Sequence, residues 1–230
     1  MWHEPRRSWR KPSGHRRRSR AGVLLAAILA TPAVGQAPAA PAREVMSTLA
    51  NELFAALDRD RLQSHRNSEA AQALVDRVLA PRFDREYTAR LVLGAHWRAA
   101  NESQQARFAN ALYRTLLRSY ATEVVDWTPE RLRILPLSTD PAALQALVRT
   151  EITQPARALA HVDYRLHSTD SGWRIFDVIV DGVSYARSYH DDVDAEVRRD
   201  GLDAALAGLE QRASGARRPL TGAQAHSNPR

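Results

Sequence analysis

The run from Gly172 to Val180, Gly-Trp-Arg-Ile-Phe-Asp-Val-Ile-Val, constrains this chain more than any other segment. It reads as a β-strand with apolar side chains on both faces. Under strict alternation Trp173, Ile175 and Ile179 point one way, and Phe176, Val178 and Val180 point the other. An antiparallel strand needs only one apolar face when its second face meets water. Something apolar must therefore cover both sides, either more protein or a ligand. Asp177 falls on the Trp173, Ile175 and Ile179 side. Buried there, its carboxylate needs partners, from a neighbouring strand or from the polar part of a ligand. Asp181-Gly182 breaks the strand, and Val183 to Arg199 reads as a helix.

The amino-terminal segment reads as an export signal. Arg6, Arg7, Arg10, Lys11, Arg16, Arg17, Arg18 and Arg20 form a basic region ahead of an apolar stretch, Ala21 to Ala33. That stretch is shorter than the roughly 20 apolar residues a membrane span requires. Ala33-Val34-Gly35 supplies the small residues of a cleavage site, so residues 1–35 are expected to be a signal peptide removed before Gln36. No cysteine follows the apolar stretch, which excludes lipoprotein processing. Arg6-Arg7-Ser8-Trp9-Arg10-Lys11 loosely resembles a twin-arginine signal but lies far from the apolar core. The leader also explains the charge: with Glu4 as its one acid it nets +7, as does the whole chain, so the rest nets to zero. The mature chain therefore lacks the basic footprint that phosphate-backbone binding demands, and no nucleic-acid partner is expected.

Residues 36–42 are Ala/Pro-rich and read as a flexible lead-in, and residues 213–230 as a disordered basic tail. Between them lies one domain, residues 43–212, whose helices come first and strands second. Arg43 to Arg61 carries a helical apolar stripe that includes Leu49 and Leu53. Ser68 is placed to cap a helix ending at Leu79, before Pro81. Asp84 caps a short helix through Leu93, with Gly94 at its end. Asn101 and Gln104 have capping-box spacing and open a long helix, Glu102 to Asp126. Phe108, Leu112, Leu116, Tyr120 and Val124 form one apolar line on it, and Ala109, Tyr113, Leu117 and Ala121 a second. That face is wide enough to serve both a core and a cavity. Four strands follow, Arg131 to Leu137, Leu144 to Thr153, Ala160 to Thr169 and Gly172 to Val180, joined by short turns that imply an antiparallel sheet. A final helix, Leu202 to Arg212, follows Asp200-Gly201. The fold class is α+β: a curled antiparallel sheet of about four strands packed with amino- and carboxy-terminal helices around an apolar cavity.

Catalytic and metal chemistry is hard to place. There is no G-x-S-x-G elbow, no phosphate loop and no cysteine. His161, Asp163 and His167 share a strand face, but the two histidines lie roughly 20 Å apart along the strand. His190 and Asp194 have helical spacing beside Asp191 and Asp192, which reads as an exposed acidic turn. No metal site, cofactor or catalytic set is expected. The alternative is an enzyme of the ketosteroid isomerase-like kind, with a helix-and-sheet cone, using Asp163 or Asp177 with Tyr164 or Tyr189. A ligand-free adaptor is a third reading.

An ordered set of short motifs resembles one family. Pro81-Arg82-Phe83-Asp84, Ala89 to Gly94 and Trp97-Arg98 come first. Tyr120-Ala121, Val162-Asp163-Tyr164-Arg165-Leu166, the segment from Trp173 to Ser184, and Asp200-Gly201-Leu202-Asp203 follow in order. Together they resemble the MlaC family of periplasmic phospholipid-binding proteins, also called toluene-tolerance proteins, over nearly all of Arg43 to Arg212. Where relatives often carry an Asn-Tyr-Arg-x-x-Phe-like stretch, this chain has Ser188-Tyr189-His190-Asp191-Asp192-Val193, which alters one pocket wall. The resemblance implies a soluble periplasmic carrier with a bound phospholipid as its cargo. Its implied partners are an inner-membrane ABC transporter complex of MlaD type and an outer-membrane lipoprotein complex of MlaA type. Burying acyl chains is favourable by about 0.8 kcal/mol per methylene, so such a carrier needs a deep apolar slot and few polar anchors. The residues expected against the acyl chains are Leu116, Tyr120 and Val124 on the long helix, and Val148, Val162, Tyr164, Leu166, Phe176, Val178 and Val180 on the strands. Val183 and Tyr185 are expected at the exit.

Overall fold

The structure, a computed structural model, describes residues 41–124, 128–137, 143–153 and 159–215. The expected signal peptide, most of the lead-in, and the tail beyond Gly215 lie outside the described residues. Four helices come first: α1 (Ala42–Arg66), α2 (Ser68–Leu79), α3 (Arg85–Leu93) and α4 (Glu102–Val124). Strands β1 (Leu132–Ile134), β2 (Gln145–Thr153), β3 (Leu159–Thr169), β4 (Gly172–Val180) and β5 (Val183–Ser184) follow, then α5 (Tyr185–Asp200) and α6 (Leu202–Ala213). The strands form one five-stranded sheet in sequence order, antiparallel throughout. The α+β reading holds. Among the described residues no helix is long and apolar enough to cross a membrane.

Local chemistry explains most boundaries. The Asp84 carboxylate accepts from Tyr87 N at 2.8 Å and so caps α3. The α4 capping box is reciprocal: Asn101 N donates to Gln104 Oε1 at 3.0 Å, and Gln104 N donates to Asn101 Oδ1 at 2.9 Å. Asn67 rather than Ser68 caps α2, accepting from Glu69 N at 2.8 Å. Gly94 closes α3 with φ of +54°, and an added Cβ would stand 2.8 Å from His190 Cε1.

The strand-to-helix junction differs from the expected continuous helix. Asp181 and Gly182 both have positive φ, 47° and 86°, which is the backbone of a two-residue hairpin turn. The turn folds Val183 and Ser184 back on Val180 and Ile179 as a fifth strand. The helix therefore starts at Tyr185, with Ser184 as its cap: its hydroxyl oxygen accepts from Arg187 N at 3.2 Å.

Strict alternation on β4 also fails. The register pairs Arg165 with Asp177 but Leu166 with Ile175, leaving Phe176 as a bulge residue. Trp173 and Ile175 thus join the side of Val178 and Val180, instead of opposing it. Phe176 is covered by Tyr87, His167 and Arg165, with ring centroids 5.0 Å from Tyr87 and 5.5 Å from His167. Both faces of β4 are covered by protein at this point, which answers the apolar strand's demand locally.

The inward face of the sheet is read from alternating burial: Ala146, Val148 and Ile152 on β2, and Ala160, Val162 and Leu166 on β3. Two apolar clusters lie against it. One joins α1, α2 and the second half of α4 to Val148, Leu166 and Ile175. The other joins α3, the first half of α4, α5 and α6 around Tyr185, Tyr189 and Phe108. Leu116 packs against both. The double apolar line of α4 therefore serves two cores, and the helices leave a gap over β3 and β4 where the two meet.

Candidate functional site

The gap is a cavity of about 200 Å³. Leu49 and Leu53 of α1 and Val75 and Val78 of α2 form one wall, and Thr88 and Val92 of α3 form another. Leu116 and Val124 project from α4, Tyr185 and Tyr189 from α5, and Val162, Tyr164, Val178 and Val180 from the sheet.

The expected site residues divide into four groups. Leu116, Val124, Val162, Tyr164, Phe176, Val178, Val180 and Tyr185 line the cavity. Val148 and Leu166 lie on the same side of the sheet but are fully buried in the core beside α1 and α2, outside the cavity lining. They differ from Val162 and Val180 because helices, not space, cover them. Val183 is 37 % exposed on the edge strand and also falls outside the lining, because the hairpin turn carries it outward. Tyr120 lies on α4, and its side chain is outside the described residues. Sequence reasoning missed the contributions of α1, α2 and α3. Leu49 and Leu53 were legible as an i, i+4 stripe, but a stripe does not say whether it faces a core or a cavity.

The polar groups of the lining are mostly committed. Asp177 has a fully buried side chain. Its Oδ2 accepts from Ser184 Oγ at 2.7 Å and lies 3.4 Å from Arg165 Nη1, while Oδ1 accepts from Ala186 N at 3.0 Å. The strand partner is therefore joined by the first turn of α5, a natural seat for a carboxylate. Asp181 Oδ1 accepts from His161 N at 3.0 Å. The Thr88 hydroxyl lies 2.7 Å from Asp84 O and 2.8 Å from Phe176 O. Burial raises the phenols of Tyr113 and Tyr164, and pushes Tyr189 up to about 12. The Tyr113 and Tyr189 hydroxyl oxygens are enclosed, with no hydrogen-bond partner among the described residues. Among the described residues, no Arg, Lys or His belongs to the lining.

Several of the groups weighed for catalysis or metal binding are held by other contacts. Asp163 and Tyr164 are successive on β3 and point to opposite faces. Asp177 is saturated as described. His167 Nε2 lies 3.0 Å from Asp84 Oδ2, with its ring stacked on Tyr87 at 4.2 Å. His190 Nδ1 lies 2.9 Å from Val92 O, tying α5 to α3. Asp194 lies 2.8 Å from His96 Nε2, and that hydrogen bond above all holds its carboxyl below the usual range. Among the described residues no group of three or more His, Cys, Asp or Glu is placed to hold a metal ion.

Comparison with known proteins agrees with this architecture. Residues 47–211 match the family described as MlaC protein. The chain is 24 % identical over 182 residues to the toluene tolerance protein ttg2D of Pseudomonas putida, covering 79 % of this chain and 82 % of that protein. It is 19 % identical over 173 residues to the intermembrane phospholipid transport system binding protein MlaC of Haemophilus influenzae, covering 74 % and 81 %. A phospholipid-binding protein from Ralstonia solanacearum, solved in complex with a phospholipid, shares the fold at a TM-score of 0.69 and 22 % identity. The match covers 76 % of this chain and 98 % of that one.

Proposed function

The chain belongs to the MlaC family, and on that premise we propose that it is a periplasmic phospholipid carrier. It takes up acyl chains between its helical layer and strands β3 and β4, and moves the lipid between membranes. The observation that carries this reading is the lining of the cavity. Among the described residues it is mainly aliphatic and aromatic, it contains no cation, and its carboxylates are already hydrogen-bonded. Such a slot favours hydrocarbon and offers nothing to a phosphate, so the headgroup stays outside and only the chains are enclosed. The partners that fit are an inner-membrane ABC transporter complex of MlaD type and an outer-membrane lipoprotein complex of MlaA type. Two related proteins support this reading: one is the binding protein of an intermembrane phospholipid transport system, and another was solved with a phospholipid bound.

The test is direct. The exported protein, purified from a periplasmic extract, is examined by native mass spectrometry and by organic extraction. Co-purified phospholipid at a defined stoichiometry is expected. An empty protein that also fails to take up phospholipid from vesicles would refute the carrier reading.

A further inference from the structure

Tyr164 is a cavity residue whose hydroxyl the carrier reading leaves unused. It sits mid-strand on β3, between Val148 of β2 and Val178 of β4. Its side chain keeps accessible surface, and the cavity lies against it. Burial nonetheless raises its phenol, as expected for a hydroxyl that faces an enclosed apolar space rather than bulk water. Among the described residues none hydrogen-bonds that hydroxyl. Tyr185 also lines the space, close enough to act on the Tyr164 phenol, and five other polar groups of the lining differ. Thr88, Asp177 and Asp181 are engaged, and the Tyr113 and Tyr189 hydroxyl oxygens are sealed from the space.

A donor in this position meets its hydrogen-bonding need when the ligand brings an acceptor. The charge of the lining selects the kind. Asp177 and Asp181 line the space and, among the described residues, no cation does, so an anionic oxygen is repelled while a neutral carbonyl is not. A glycerophospholipid carries such a carbonyl at the root of each ester-linked chain. An ether-linked lipid has the same chains without it.

We propose that the Tyr164 hydroxyl donates to an acyl ester carbonyl of the cargo, so that the protein discriminates ester-linked from ether-linked glycerolipids. The inference rests on the carrier reading and adds the part of the lipid that is recognised.

Dipalmitoyl phosphatidylethanolamine and its di-O-hexadecyl counterpart share headgroup and chain length. Each is competed against a fluorescent phospholipid on the full exported protein, as wild type and as Tyr164→Phe. The wild type is expected to favour the ester form by about three- to tenfold, the range of one neutral hydrogen bond. Tyr164→Phe should bind the two forms alike, and the ether form as well as the wild type does. Equal affinities in the wild type would overturn the inference without any need for the variant. A preference that survives in Tyr164→Phe would overturn it as well. If the wild type binds neither these lipids nor the fluorescent one, the carrier reading itself falls, and this inference with it.

Discussion

Removing the Asp177 carboxylate should unfasten α5 from the sheet, and the size of the effect follows from its partners. Asp177→Ala deletes an acceptor with no solvent access. It leaves the Ala186 N–H without its 3.0 Å partner at the first turn of α5, and Ser184 Oγ without its 2.7 Å acceptor. Hydrogen bonds to a charged group contribute about 1.5–3 kcal/mol each. The Arg165 contact is longer, 3.4 Å, with the arginine side chain 44 % exposed, so it contributes about 0–1 kcal/mol. A loss of about 3–5 kcal/mol is expected for Asp177→Ala, allowing Ser184 to turn toward other acceptors. For a domain of this size that corresponds to a melting temperature roughly 6–20 °C lower. Asp177→Asn keeps one acceptor for Ala186 N and should lose about 1–2 kcal/mol. Arg165→Met should lose less than about 1 kcal/mol. Urea unfolding followed by tryptophan fluorescence ranks the three. The reasoning fails if Asp177→Ala costs under 1 kcal/mol, or if Arg165→Met costs as much.

Three further outcomes are expected. Val178→Glu places a carboxylate in the cavity wall and should abolish phospholipid retention in an otherwise folded protein, whereas Leu166→Glu, at a fully buried core position, should unfold it; circular dichroism with lipid extraction separates the two. Gly94→Ala should cost about 1–3 kcal/mol by thermal melting, because φ of +54° strains any side chain and the new Cβ meets the His190 ring. Burial pushes the Tyr189 phenol up to about 12 in the fold, against about 10 in the unfolded chain, so its contribution is whole below pH 10 and is lost as pH rises from 10 to 12. Tyr189→Phe should flatten that alkaline decline in urea midpoints, and an unchanged slope would exclude the assignment.

Short-range physics accounts for what could be read before any tertiary contact was known. Asp84, and Asn101 with Gln104, cap their helices because a side-chain acceptor and an orphan backbone N–H meet within a few residues. The alternation on β2 and β3 and the double line on α4 are periodicities of single elements, and they marked the inward face. The ordered motifs placed the family. Three matters depended on distant partners. The bulge at Phe176 reverses the faces of Trp173 and Ile175, and nothing in the strand itself announces a one-residue register shift. The Asp181-Gly182 turn could be read as a hairpin, yet two residues of β5 are too short to form a strand signal against the helix that follows. Finally, Val148 and Leu166 are chemically indistinguishable from Val162 and Val180 and share their side of the sheet. Only the placement of α1, α2, α4 and α5 decides which of them meets a neighbour and which meets the cavity, because packing is set between elements and not along them.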